Sequence, residues 1–329
     1  MVEKRLEVVK LGLGSRFEEK MLKELNIQFL WHYTSSDSFI KIVNGKQLRY
    51  TDCLFLNDIE EFNYIFQVLD EYIKQNRKNA DFIKFLSDAM DKDNYDFVPA
   101  NIKLKNGYRF TSGRYYILSG SSNPDSLPLW TYYSKTGKYD GYSLKIDVTK
   151  VFHDFRKYGQ GAIYAGRVEY DLQNQIEIIE SVIDLLISEN NSQIKKLDRN
   201  TLGEEDYSIE IDMLRDNLQS DALDFLNTCR LFFKNSKFSF ESELRIAVLV
   251  SLEEINGNKC DAAFSSVNGI IKPSIGLSLE PEFPIAAINV GPMIDLELAK
   301  IGIRRLFEGS NIRMDKEFAI EKSDVNIRY

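Results

Sequence analysis

The chain has 329 residues, long enough for one large domain or two modest ones, and its 43% hydrophobic and 28% charged residues lie in the ordinary globular range. A net charge of −8 with no basic run at either terminus argues against general adhesion to nucleic acid, which needs concentrated lysine and arginine. Three well-separated cysteines (Cys53, Cys229, Cys260) and only two histidines (His32, His153) argue for a reducing compartment and against structural zinc or a His-rich metal centre.

The N-terminal stretch MVEKRLEVVKLGLGSRFEEK alternates charge with apolar residues and lacks the hydrophobic core of a signal peptide. No apolar run approaches the roughly 20 residues of a bilayer-crossing helix. A cytoplasmic protein with no membrane partner and no metal is therefore expected. Residues 1–26 read as a helical segment, and 27–329 as a single domain. Ile27–Thr34 is aromatic and β-branched and reads as a strand, with His32 and Thr34 on one face and Trp31 and Tyr33 on the other. Ser36 or Asp37 caps a short helix that Gly45 ends. A strand follows at Leu48–Thr51, then a loop, then a helix capped by Asp58 with Phe62, Ile65, Leu69 and Tyr72 on one side.

Tyr108–Gly120 and Gly141–Asp147 read as strands flanking a Pro-containing turn in NPDSLPLWTYYSKTGKYD, and Ile163–Tyr170 as another. Two long helices come next. One carries the stripe Leu172, Ile176, Ile179, Ile183, Leu186; the other carries Ile211, Leu214, Leu218, Ala222, Phe225, Cys229. They form a helical insertion at about 171–236, packed on the sheet. Phe238–Val250 is the clearest strand, Ile270–Leu279 and Ile285–Val290 add two more, and Ile294–Leu306 is helical. Strands on both sides of a helical block, with little regular βαβ alternation, give an α+β fold.

Three groups of residues carry chemistry-bearing side chains. Glu241 and Glu243, two apart in the expected strand, share a face with Ser239 and Arg245; the bland alternative is a solvated face with a Glu–Arg ion pair. His32 and Thr34 present an imidazole and a hydroxyl together; the bland alternative is a half-buried histidine bonded to backbone. Trp130 and Tyr133 offer a stacking surface for a flat heterocycle, or a plain hydrophobic anchor. His153 has no comparable setting.

Five segments, LWHYTS, LRYTDCLFLNDIEEF, SGSSNPDSLPLWTYYSKTGKYDGYSLKID, KNSKFSFESELRI and SDVNIR, occur in that order. Together they resemble the bacterial family called domain of unknown function 2971, from about Leu30 to Arg328. Gly120 stands where that family usually has an aromatic residue, and Asn326 where it usually has proline.

The family is in turn similar to ADP-ribosyltransferases of the His–Tyr–Glu type. The resemblance implies a split β-sheet core and a cleft that takes NAD as substrate. It assigns His32 to a ribose hydroxyl, the Tyr33 backbone to the nicotinamide carboxamide with Thr34 supporting it, and Trp130 or Tyr133 to stacking on nicotinamide. Glu243 becomes the catalytic glutamate and Glu241 the acidic residue before it, while Asn57, Asp58 and Glu61 also match the pattern as site architecture. The implied activity is cleavage of the nicotinamide–ribose bond and transfer of ADP-ribose to a protein or nucleic-acid acceptor, in a toxin or phage-defence effector. An NAD glycohydrolase, with water as acceptor, and an inactive nucleotide-binding module of the same fold stand as alternatives.

Overall fold

A computed structural model describes residues 6–12, 27–56, 60–90, 113–133, 139–155, 162–256, 261–267, 269–278, 283–314 and 318–327. The strands are β1 (Val8–Gly12), β2 (Phe29–Thr34), β3 (Gln47–Asp52), β4 (Gly113–Ser121), β5 (Tyr142–Asp147), β6 (Ala162–Arg167), β7 (Glu243–Ser251), β8 (Asp261–Val267), β9 (Ile270–Ser278), β10 (Ile285–Val290) and β11 (Ala319–Lys322). The principal helices are α1 (Ser36–Gly45), α2 (Tyr64–Lys74), α3 (Ala80–Ala89), α4 (Leu127–Tyr133), α5 (Val148–Phe155), α6 (Leu172–Ile194), α7 (Glu204–Phe232) and α8 (Leu296–Gly309).

Among the described residues the strands form one open mixed sheet in the order β1-β6-β7-β4-β2-β5-β10-β11, with β3, β9 and β8 branching from β4. Its pairings are antiparallel apart from β10 with β11, and the fold is α+β as expected. Two helical layers bury the faces of this sheet. On one side α2, α3, α6 and α7 bring Ile65, Leu69, Ile83, Ile179, Phe225 and Cys229 against Tyr115, Tyr164, Ala247 and Leu249. On the other, α1 and α8 bring Phe39, Val43, Ile303 and Phe307 against Leu144, Ile246, Val248 and Ile288. The alternation along β7 thus sends Leu244, Ile246 and Val248 one way, and Glu243, Arg245, Ala247 and Leu249 toward the α6–α7 layer. None of the described helices is long and apolar enough to cross a membrane.

The sheet is thinnest between β2 and β4. β2 pairs with β5 along its whole length but meets β4 at the single pair Trp31↔Ser121. β4 pairs with β7 throughout, and with β3 at Ile117 and Tyr116. Gly120 sits at this junction. A Cβ there would lie 2.4 Å from Leu30 Cδ1 and 3.0 Å from the Trp31 carbonyl oxygen, so the close approach of the two strands leaves no room for a side chain.

Several expectations need correction. Within the segment read as helical over 1–26, Val8–Gly12 is a strand paired with β6, its position fixed by burial of Leu6 and Val8 at the sheet edge; residues 13–26 lie outside the described residues. Ser35, not Ser36 or Asp37, caps α1, its side chain accepting from the Ser38 amide. Part of the Pro-containing segment is the helix α4, with the Trp130 amide donating to the Ser126 carbonyl. The strand expected from Phe238 begins only at Glu243. Ser236–Glu241 is a 3-10 turn closed by Ser242 in the left-handed region (φ 44°), which satisfies its end through Ser242 N to Ser239 O and breaks the alternation. The Asp58 cap falls outside the described residues, as do Asn57 and the 108–112 end of the expected strand.

Candidate functional site

At the β2–β4 junction lies a small cavity of about 20 Å³, open to solvent and lined by Tyr33, Ser119, Gly120, Leu129, Tyr133, Glu241 and Glu243. Its charged wall is built where α7 ends and β7 begins. Arg245 grips Glu243 with a two-pronged bond, Nε to Oε1 at 2.7 Å and Nη2 to Oε2 at 2.8 Å. The same guanidinium donates to the Leu231 carbonyl at 2.7 Å and to Glu61. Lys234, two residues past the end of α7, holds Glu241 at 2.6 Å, Glu243 at 3.2 Å and Glu61 at 3.3 Å. Glu61, Lys234, Glu243 and Arg245 are all buried, whereas the Glu241 side chain is 20% exposed. A solvated strand face is therefore ruled out; the Glu–Arg ion pair of that alternative exists, but inside the protein.

Burial is the largest influence on Glu243 and pushes its carboxyl up to about 7; Lys234 opposes this and the charge of Glu241 adds to it. The charge balance agrees. Three carboxylates face two cations, so the cluster accommodates one proton more readily than an isolated glutamate does. Lys234 is held above its ordinary value by Glu243 and Glu241, against the pull of burial.

Glu241 does not reach this wall by strand alternation. The 3-10 turn brings it there, pinned to the end of β4 by Ser121 Oγ donating to the Glu241 carbonyl (2.7 Å) and Ser122 N donating to the Ser242 carbonyl (2.9 Å). Ser239, expected on the same face, belongs to that turn and is exposed.

The opposite wall is aromatic. The Tyr33 ring meets Trp130 edge-on at 4.8 Å between centroids and lies 6.4 Å from Tyr133. Its hydroxyl donates to the Asn123 carbonyl (3.0 Å) and accepts from the Ser126 amide (2.8 Å), tying β2 to the start of α4. Tyr133 faces the cavity, and burial together with the charges of Glu243 and Glu241 raises its phenol above the usual range. Trp130 does not line the cavity. It is buried behind Tyr33, and its Nε1 donates to Asp125 at 2.6 Å. Asp125 also accepts from Ser323 Oγ (2.5 Å) and the Asp324 amide (2.7 Å), so the C-terminal SDVN stretch braces this wall.

His32 is half-buried beside the cavity, not in its lining, and Nδ1 donates to the Ser119 carbonyl at 2.9 Å. Burial lowers its pKa, so the ring is neutral at physiological pH with Nε2 as acceptor. This is the backbone-bonded histidine of the bland alternative. Thr34 is buried at the strand end opposite Tyr142 and does not line the cavity.

The structure thus brings Tyr33, Tyr133, Glu241 and Glu243 together, sets His32 one residue contact away, and places Trp130 and Thr34 in supporting positions. Sequence reasoning did not single out Lys234. The available signal was a lysine directly following the apolar run Leu231-Phe232-Phe233, where only a paired charge is tolerated. Chemically, a carboxylate pair, one buried and one partly exposed, opposite a tyrosine ring can stabilise positive charge and exchange protons on a flat ligand. Among the described residues no group of three or more His, Cys, Asp or Glu is arranged to hold a metal ion.

No curated protein and no solved structure matches the chain. Residues 129–246, which run from α4 into β7 and include Tyr133, Lys234, Glu241, Glu243 and Arg245, match the family model described as "Protein of unknown function (DUF2971)", in support of the resemblance within that stretch.

Proposed function

We propose that this cavity binds NAD and that the chain cleaves its nicotinamide–ribose bond, passing ADP-ribose to a macromolecular acceptor. The observation that carries the reading is the meeting of a tyrosine ring, Tyr133, with two carboxylates, Glu241 and Glu243, in one cavity at the thin point of the sheet. When the bond breaks, its electron pair leaves with nicotinamide and positive charge grows on the ribose, as in glycoside cleavage. A fixed carboxylate next to that charge stabilises it without forming a covalent bond. Glu243, oriented by the Arg245 fork, suits this task; Glu241, nearer solvent, suits contact with the acceptor. The cluster's excess negative charge favours both the cationic pyridinium ring and the oxocarbenium that follows. The sheet is continuous, and the single residue pair joining β2 to β4 is its nearest approach to the split core that the resemblance implies.

One observation favours a variant of this reading. Both Glu243 oxygens are engaged by Arg245, so Glu241, the more open carboxylate, is the alternative partner of the ribose. A test incubates purified protein and cell lysate with NAD labelled in its adenylate half. Label on macromolecules with release of nicotinamide supports transfer, and free ADP-ribose supports the glycohydrolase. Intact NAD under all conditions refutes both and leaves a binding module. Glu241→Gln then separates the carboxylates: selective loss of transfer with residual hydrolysis assigns Glu241 to the acceptor, and loss of both signals assigns it to the ribose.

A further inference from the structure

A lysine directly after an apolar run, at the mouth of a buried layer, is costly unless its charge is paired and hydrogen-bonded. Lys234 meets that condition. Its ammonium donates to Glu241 at 2.6 Å and Glu243 at 3.2 Å, pairs with Glu61 at 3.3 Å, and lies 4.8 Å from the Phe238 ring. Its backbone is fixed as well: the amide donates to the Glu169 carbonyl (3.1 Å), and Gln175 Nε2 donates to its carbonyl (3.1 Å). Of the three carboxylates, only Glu241 and Glu243 line the cavity.

We propose that Lys234 is the positioning residue that binds Glu241 and Glu243 into one pair, so that the two carboxyls exchange a single proton with the occupant of the cavity. This deepens the reading above, and rests on it only for what the proton is used for. The remaining groups around the pair do not compete for that proton. Arg245, from β7, stays cationic. Tyr133, from α4, and Tyr170, ahead of α6, are phenols that burial and the nearby carboxylates push upward, so they stay neutral. His32, from β2, is held neutral by burial and bonds the Ser119 carbonyl. Glu61 is clamped between Lys234 and Arg245, away from the cavity. Glu243 alone combines burial beside the cavity with a neighbouring carboxylate that shares its cation, the arrangement that raises a carboxyl.

The experiment uses the full chain labelled with carboxyl-¹³C glutamate and follows the resonances by NMR across pH, with no NAD present. One glutamate, absent from Glu243→Gln, should titrate near 7. Glu241→Gln removes the like charge and should lower that midpoint by about one unit; Lys234→Gln removes the cation and should raise it by about one unit or more. Lys234→Arg restores the charge and should return the midpoint toward the parental value. A midpoint unmoved by Glu241→Gln, or lowered by Lys234→Gln, would overturn the proposal. Should Lys234→Gln fail to fold, Glu241→Gln decides alone, since that side chain is partly exposed. Because the readout is the carboxyl itself, a chain that never cleaves NAD can still pass, and one that does can still fail.

Discussion

The wall formed by Glu61, Lys234, Glu241, Glu243 and Arg245 is charged and largely buried, whereas the facing wall of Tyr33, Leu129 and Tyr133 is aromatic and braced from behind. In the first, each side chain is oriented by the charges of its neighbours, and removing one partner strands another in a dry interior. In the second, orientation comes from ring packing and from hydrogen bonds to loop backbone, so a lost contact is a local matter. The difference teaches where rigidity at this site comes from. The ionic wall fixes protonation state and direction together, while the aromatic wall fixes shape.

The largest effect should come from Arg245→Met, which leaves Glu243 and Glu61 without their guanidinium. Breaking a buried pair in this way costs about 3–5 kcal/mol, to be read from urea denaturation at neutral pH. A loss below about 1 kcal/mol would mean that the ionic wall is no more sensitive than the aromatic one.

A pH series sharpens the same comparison. Because the folded-state value for Glu243 is raised from 4.5 to about 7, its contribution to stability is full below 4.5 and is lost as pH rises through 7. The parental chain should therefore lose on the order of 3 kcal/mol across that window. In Glu243→Gln that slope should be absent, and an unchanged slope would assign it to another group.

The smallest effect belongs to the aromatic wall. Tyr33→Phe keeps the ring against Trp130 but removes the hydroxyl shared by the Asn123 carbonyl and the Ser126 amide. A loss of about 1–2 kcal/mol is expected in the same denaturation assay. A loss as large as that of Arg245→Met would erase the distinction between the walls.

Much of this architecture is written locally. The alternation of Ile27–Thr34 and the apolar stripes of α6 and α7 identify β2 and the helical layer, because periodic burial leaves a periodic sequence. Other features depend on partners distant in the chain. β8 exposes most of its side chains and β11 spans four residues, so neither carries a hydrophobic pattern. The FSFES stretch alternates, yet Phe240 is 39% exposed and the chain turns at Ser242. The pairing of Glu241 with Glu243 thus comes from the turn and from Lys234, not from strand geometry. Which aromatic of α4 faces the cavity was equally hidden: Trp130 and Tyr133 are three residues apart in a helix, and the bond from Trp130 to Asp125 helps turn the indole away.

The central claim is that Glu243 stabilises charge on a ribose bound in this cavity, and nicotinamide release tests it most directly. The rate of release from NAD should be measured for the parental chain and for Glu243→Gln, alongside NAD binding by calorimetry. The account predicts a fall of about 10²–10³ in turnover with binding little changed, since the lost charge acts chiefly in the transition state. Because an ionised Glu243 is required, parental turnover should also rise as pH passes through about 7. Release by Glu243→Gln at the parental rate would contradict the account.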